Sequence, residues 1–509
     1  MAMPLSCSDS KGRPRSNGEG GAGGQSGEAG AGGEAGGIPV KKPAVVSGGT
    51  GAFGVIVVDG VQKMYLPLAQ TSAGSGLIAV VNVGVTGEGV KGSAALIRDI
   101  ELMSDADTGA SRPYATTTSG TADVVIAAST QFPDVWFIDP RHDVVTKHIT
   151  LDATAGRSSF SGGGGYVTGI AMDPDHNRAI LSVWNGFAII DLETQEITKT
   201  IEAPPAENFG FDSTRGLILD PYYECSQSRS AAGEPPSACS ELKNSSGSVL
   251  SDGLAIIKLD DDSVYNYDDP SAVSPRSKTS PVGGEPDSAA ADPSLGLAIV
   301  PSESGRFQNI IDIGHARYHE GDGLVTARNY VLPNFAFTGV AIEPARHLAL
   351  LEEEGSSTIA ALDLSGLTPR LAADNRGEGG AAGEGGAAGE GGAPSHSDLP
   401  LDTGIIDAAS LQAVQANMPF LPSGSSWTNI GDPHGVAVTT GIADGRSVGF
   451  LVNSQRQWVA RIDLATLLSL NTGTTTIADI SEAVTYLDGR TRMGGGEGGA
   501  GGAGGGAGD

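Results

Sequence analysis

Short apolar runs separated by polar turns recur along most of the chain. Gly169 to Leu192 reads GIAMDPDHNRAILSVWNGFAIIDL, and Gly339 to Leu364 returns to it as GVAIEPARHLALLEEEGSSTIAALDL. Each copy holds an apolar run, an acidic turn, a second apolar run, and a third that closes on a hydrophobic residue and Asp. Runs this short, rich in Val, Ile and Leu and bounded by turn residues, predict β-strands. Asp-Pro or Glu-Pro suits the first turn, because the carboxylate accepts from amides just ahead and Pro presets its own φ. Related openings begin at Asn208 (NFGFDSTRGLIL), Ser288 (SAAADPSLGLAI) and Gly435 (GVAVTTGIADGRSVGFLV), with Thr439 in place of the acid. Third runs close on Asp139, Asp191, Asp312, Asp363 and Asp463, while DGLAIIKL supplies a further copy with Lys258 instead of Asp. Upstream, GVIVVDGVQKMYLPL with SGLIAVVNV, and ADVVIAAST with VWFIDPRHDVVTKHITL, form two more copies. The count is seven.

Seven units of about 50 residues, none able to bury both sheet faces alone, predict an all-β, seven-bladed β-propeller. VWFIDPRHDVVTKHITL and FAIIDLETQEITKTI resemble the YVTN-type bacterial propeller repeat, in which a hydrophobic-Asp strand end, a turn and a Val or Ile strand follow in order. The resemblance spans roughly Gly54 to Ile480. It implies a propeller fold and an extracytoplasmic setting, and no single activity.

Composition marks what lies outside the blades. Asn17 to Gly37, Gly377 to Ala393 and Gly494 to Asp509 consist almost wholly of Gly, Ala and Glu, so they lack the apolar side chains that offset backbone ordering entropy. The expected organisation is a flexible N-terminal tether (1–37), a propeller (38–493) with insertions at 221–250 and 371–432, and a disordered tail (494–509). An open ring would leave two unpaired strand edges. The apolar stretch IPVKKPAVV, Ile38 to Val46, is therefore expected to add the outer strand of the last blade, after VARIDLATLLSL and TTTIADI.

Charge excludes one class of partner. Sixty acidic against 31 basic residues give a net charge of −29, and no basic stripe with interleaved aromatics occurs, so nucleic acid is not an expected partner. Self-repulsion suits a monomer. No run of 18 apolar residues exists to span a bilayer as a helix. The opening MAMPLSCSDSKGRPR resembles the downstream end of a bacterial lipoprotein signal, with Ser6 before a lipidation candidate, Cys7, and a polar Gly-rich tether after it; Pro4 and the position of Leu5 depart from that pattern. Membrane association is expected through lipid only, the alternative being an incidental exposed Cys. Cys225 and Cys239 enclose the polar CSQSRSAAGEPPSAC, which fits no metal-ligand spacing. A disulfide there would restrict the unfolded chain by about 3 kcal/mol in an oxidising compartment. Two free thiols are the alternative.

Motifs with apparent chemistry each meet a plainer reading. Gly49, Gly51 and Gly54 have dinucleotide-loop spacing, but GVIVVDG after them reads as strand where that motif needs a helix. GHARYHEGDG places His315 and His319 four apart beside Glu320 and Asp322, without the Glu of a zinc-protease helix and within a Gly-bounded loop. Asp260, Asp261, Asp262, Asp268 and Asp269 lack calcium-loop spacing. No G-x-S-x-G elbow appears. No catalytic residue, metal ligand or cofactor is assigned.

The residue before each first strand is the better place to look, because in a propeller that strand lines the central channel. There the copies differ: Thr168, Glu207, Asp287, Thr338 and His434. They are the ligand or channel-mouth candidates, with strand-end capping as the plainer alternative. The expected function is a non-enzymatic, extracytoplasmic, surface-tethered propeller that binds a protein partner or small-molecule ligand. The rival expectation is a propeller hydrolase or lactonase with a channel metal held by acids and His434.

Overall fold

The computed structural model describes residues 53–68, 76–84, 96–102, 113–118, 124–129, 134–151, 167–183, 185–204, 206, 208–222, 225, 239, 242, 252–268, 282–303, 307–321, 323–327, 329–333, 337–353, 358–367, 412–417, 435–440, 445–452, 458–469 and 484–488. All fall in one compact unit, Pro43–Asp509.

Seven sheets follow one another along the chain, antiparallel except for one parallel pair in the fourth. The first is β1 (Gly54–Val58), β2 (Val61–Leu68), β3 (Gly76–Asn82) and β4 (Leu96–Leu102), and the second is β5 (Pro113–Thr118), β6 (Val125–Ser129), β7 (Asp134–Asp139) and β8 (Val144–Thr150). The third is β9 (Gly169–Asp173), β10 (Arg178–Val183), β11 (Gly186–Asp191) and β12 (Glu196–Glu202). The fourth is β13 (Gly210–Asp212), β14 (Leu217–Tyr222), β15 (Gly253–Lys258) and β16 (Ser263–Asp268). The fifth takes β17 (Ala290–Asp292), β18 (Leu297–Ser302) and β19 (Phe307–Asp312), makes an excursion through β20 (Arg317–His319) and β21 (Leu324–Thr326), and ends with β22 (Asn329–Pro333). The sixth is β23 (Gly339–Glu343), β24 (Leu348–Glu352), β25 (Thr358–Asp363) and β26 (Gln412–Asn417). The seventh is β27 (Val436–Thr440), β28 (Ser447–Val452), β29 (Trp458–Asp463), a short helix α1 (Leu464–Ser469) and β30 (Val484–Asp488).

The chain is a seven-bladed β-propeller. Seven large apolar clusters each draw side chains from two neighbouring blades. Ile56, Tyr65 and Val80 meet Val125 and Trp136 between blades 1 and 2, and Ile126 and Phe137 meet Ile170 and Leu181 between 2 and 3. Ile180 and Phe187 meet Phe209 and Ile218 between 3 and 4, and the pattern continues through Leu219 with Val300, Ile299 with Leu351, and Leu350 with Ile462. The last cluster joins Phe53, Val55 and Met64 of blade 1 to Phe450, Val452 and Val459 of blade 7, closing the ring. Strands that are buried on both faces need apolar residues at nearly every position, which is why these runs read as continuous rather than alternating.

The structure departs from the sequence expectations in several places. The outer position of blade 7 is filled by β30, beyond TTTIADI, so that blade takes its fourth strand from its own C-terminal side. Ile38 to Val46 lies outside the described residues. β26 lies within 371–432, where it pairs with β25. β5, PYATTT, is the inner strand of blade 2 and was not expected as a strand. His315 and His319 fall at a hairpin: β20 pairs with β21, and β21 runs parallel to β16, extending blade 4 to six strands; Asp322 lies outside the described residues.

Candidate functional site

Within each blade the first-to-second and third-to-fourth turns fall at one end, here called the turn face. The inner strands begin at the other end, the mouth face. The two faces use their polar residues differently.

On the turn face the repeated acids are consumed by structure. Asp173, Asp212 and Asp292 are fully buried and Glu343 nearly so. Asp173 accepts from Arg178 Nε at 2.8 Å and pairs with His176. Asp212 accepts from the Thr214 and Arg215 amides and from Arg215 Nη1; burial pushes its carboxyl upward against those contacts. The third-strand aspartates do similar work. Asp139, Asp191, Asp312, Asp363 and Asp463 accept from the amides of Arg141, Thr194, His315, Ser365 and Thr466, fixing each turn into the fourth strand or helix. The amide and hydroxyl of Thr194 hold the Asp191 carboxyl below its ordinary range. The repeated Asp is thus a turn residue.

The same belt spans the blade joints. Lys63 of blade 1 pairs with Asp143 of blade 2 at 2.9 Å, both nearly buried. Lys147 donates to the Thr194 carbonyl (blades 2 and 3), Lys199 pairs with Asp262 (3 and 4), and Arg215 donates to the Pro293 carbonyl (4 and 5). His347 meets Asp292 at 2.7 Å (5 and 6), Arg346 donates to Ser447 Oγ (6 and 7), and Gln62 Nε2 donates to the Thr440 carbonyl across the closure. All seven joints carry a polar clasp.

The mouth face differs from blade to blade. Thr168 Oγ1 donates to the Ala206 carbonyl at 2.6 Å and lies 3.1 Å from Ser182 Oγ, stapling blade 3 to the chain entering blade 4. The Asn208 amide donates to the Asp287 carbonyl at 3.2 Å, and Ser288 Oγ donates to the Thr338 carbonyl. Candidate positions, or the residues beside them, therefore form a chain around the mouth from blade 3 to blade 6. Asp287 and Thr338 are buried, and Thr338 Oγ1 has no hydrogen-bond partner among the described residues. Glu207, His434 and Cys7 lie outside the described residues.

Two residues of interest were not singled out from the sequence. Asn208 stands where blades 3, 6 and 7 have Gly169, Gly339 and Gly435; it is buried, and neither polar atom of its side chain has a partner among the described residues. A Cβ on Gly169 would lie 3.2 Å from the Phe209 ring and 3.4 Å from Asn208 Oδ1, so the glycine makes room for blade 4. Asp220 occupies a β14 position that is Leu181 in blade 3 and Leu351 in blade 6. Aligning the copies on their acidic turns exposes both exceptions.

Above blade 4 on the mouth face, Cys225 and Cys239 form a disulfide with Cα atoms 5.4 Å apart. It packs with Tyr222, Leu242 and Ala255. Among the described residues no group of three His, Cys, Asp or Glu side chains could hold a metal ion. Among the described residues no helix is long and apolar enough to cross a membrane.

No protein-family model matches the sequence, and no curated protein matches it. Among solved structures, the chain is similar to a functionally unknown protein from Desulfotomaculum acetoxidans at 10% identity and a TM-score of 0.44, covering 83% of this chain and 99% of that one. It is also similar to hydrazine synthase from Kuenenia stuttgartiensis at 12% identity and a TM-score of 0.40, covering 89% of this chain and 99% of that one.

Proposed function

We propose that this propeller is a non-enzymatic, extracytoplasmic binding protein that presents its mouth face to a protein partner or ligand. One observation carries the reading: the polar residues at the turn face recur from blade to blade as turn-fixing acids, whereas those at the mouth face differ between blades. A surface that serves only the fold has no need of such variation, and a recognition surface does. The disulfide above blade 4 supports an oxidising setting. The YVTN-type resemblance of the strand ends at Asp139 and Asp191 supports the same setting, and Cys7 would supply a lipid anchor for a surface-held body.

Site-specific photo-crosslinking in the cell that makes the protein tests this. A photoreactive residue replacing the half-buried Thr168 should give discrete adducts, while one replacing the exposed Val145 on the outer strand of blade 2 should not. Adducts at Val145 alone would place the binding surface on the rim and overturn the reading.

A further inference from the structure

Asp220 breaks the pattern of its strand. Ile218, two residues before it, packs with Ile180 and Phe187 of blade 3, whereas Leu217 and Leu219 pack toward blade 5. Strand alternation therefore turns Asp220 toward blade 3. One step beyond the Gly210–Leu219 pair, Phe209 lies opposite it on one side; Ala255 lies opposite on the other, and Ala255 packs against the disulfide. The carboxyl is fully buried, and neither oxygen has a hydrogen-bond partner among the described residues. A buried ionised carboxylate without partners costs several kcal/mol, so such a group stays protonated or the seam around it opens.

The groups that could compensate are few. Blade 3 faces it with Ile180, Phe187, Ile189, Ile201 and Ala203, all uncharged, and β13 contributes Phe209. On its own strand and β15 the titratable groups are Tyr222, whose hydroxyl donates to Asn266, Asp252 beside the start of β15, and Lys258 at its far end, whose ammonium pairs with Asp261 in the turn that follows. Lys199 and Asp262 are paired with each other at the turn face.

We propose that Asp220 makes the seam between blades 3 and 4, together with the disulfide-bearing connection it underlies, loosen as pH rises. Burial holds its carboxyl well above the ordinary carboxylate range. The sign follows: the folded state keeps a proton that the opened state releases above about pH 4, so each further pH unit favours opening until the folded group itself ionises.

Hydrogen exchange of the full chain between pH 5 and 8, corrected for intrinsic rates, tests the proposal. Relative to β24 and β25 in blade 6, amides of β14 and β15 should lose protection as pH rises. The ratio of wild-type to Asp220→Leu exchange in those strands should grow at least tenfold across the range. Asp220→Asn, which cannot ionise, should likewise remove the slope and serves if the leucine variant folds poorly. A wild-type protection profile in β14 and β15 that tracks blade 6 at every pH would overturn the proposal, and so would a slope that survives in either variant.

Discussion

Tyr222 and Gly253 face each other across β14 and β15, and a Cβ on Gly253 would lie 2.6 Å from the tyrosine hydroxyl. Gly253→Ala must displace a fully buried ring that is hydrogen-bonded to Asn266, so it should cost about 1–3 kcal/mol, read as a lowered denaturation midpoint. Lys63 is a second residue whose role exceeds its appearance. Its ammonium donates to both Asp143 oxygens and to the Pro140 carbonyl, and Tyr65 donates to the same carboxylate at 2.5 Å. Lys63→Met would strand a buried charge and should cost about 3–5 kcal/mol, whereas adding Asp143→Leu should recover much of the loss. A double mutant no more stable than the single would show that the charge was not stranded. Neither role was legible in the sequence, because a lysine in an apolar run carries no sign of its partner 80 positions away.

Elements were legible wherever both faces of a strand are buried. β10, β11, β24 and β25 are continuous apolar runs with burial at nearly every position, and they anchor the period. Three further strands have other patterns. β5 is threonine-rich, β26 is the polar QAVQAN beyond a Gly/Glu tract, and β20 has exposed and half-buried residues only. Because β25 and β26 pair in register, deleting Gly377 to Ala393 shortens a connection without removing either strand. Closure entropy changes slowly with loop length, so the melting temperature should move by less than about 5 °C in a thermal scan. The disulfide connection in blade 4 should behave oppositely. Alkylation of the native protein should leave Cys225 and Cys239 unmodified until reduction, and reduction should lower stability by about 3 kcal/mol in the loop-entropy estimate.

At the scale of the molecule, the copies could be aligned from sequence but the partners of their polar atoms could not be read there. Sequence alignment located the mouth positions, but which polar atoms are spent depends on carbonyls from the next blade, such as Ala206 beyond Thr168. Blade 7 draws its outer strand from Val484–Asp488. Removing those residues uncovers the β29 edge and should produce association detectable by light scattering, as unpaired edges template pairing with other chains. A truncated chain that stayed monodisperse would show the edge to be protected by other means.

Among the described residues, six of the seven blade joints are crossed by the covalent chain, whereas the seventh, between blades 7 and 1, rests on Phe53, Val55 and Met64 against Phe450 and Val452, plus the Gln62–Thr440 clasp. Under mechanical load the joints are therefore unequal. A pull on the two ends of the propeller is borne first by the uncrossed joint, which shears before any blade is stretched. Blades then lose a neighbour one at a time, and each release of about 50 residues lengthens the chain by about 17 nm at the reach of an extended backbone. A protein held at one end and drawn upon from the other would give way by steps of that size, starting at its own seam.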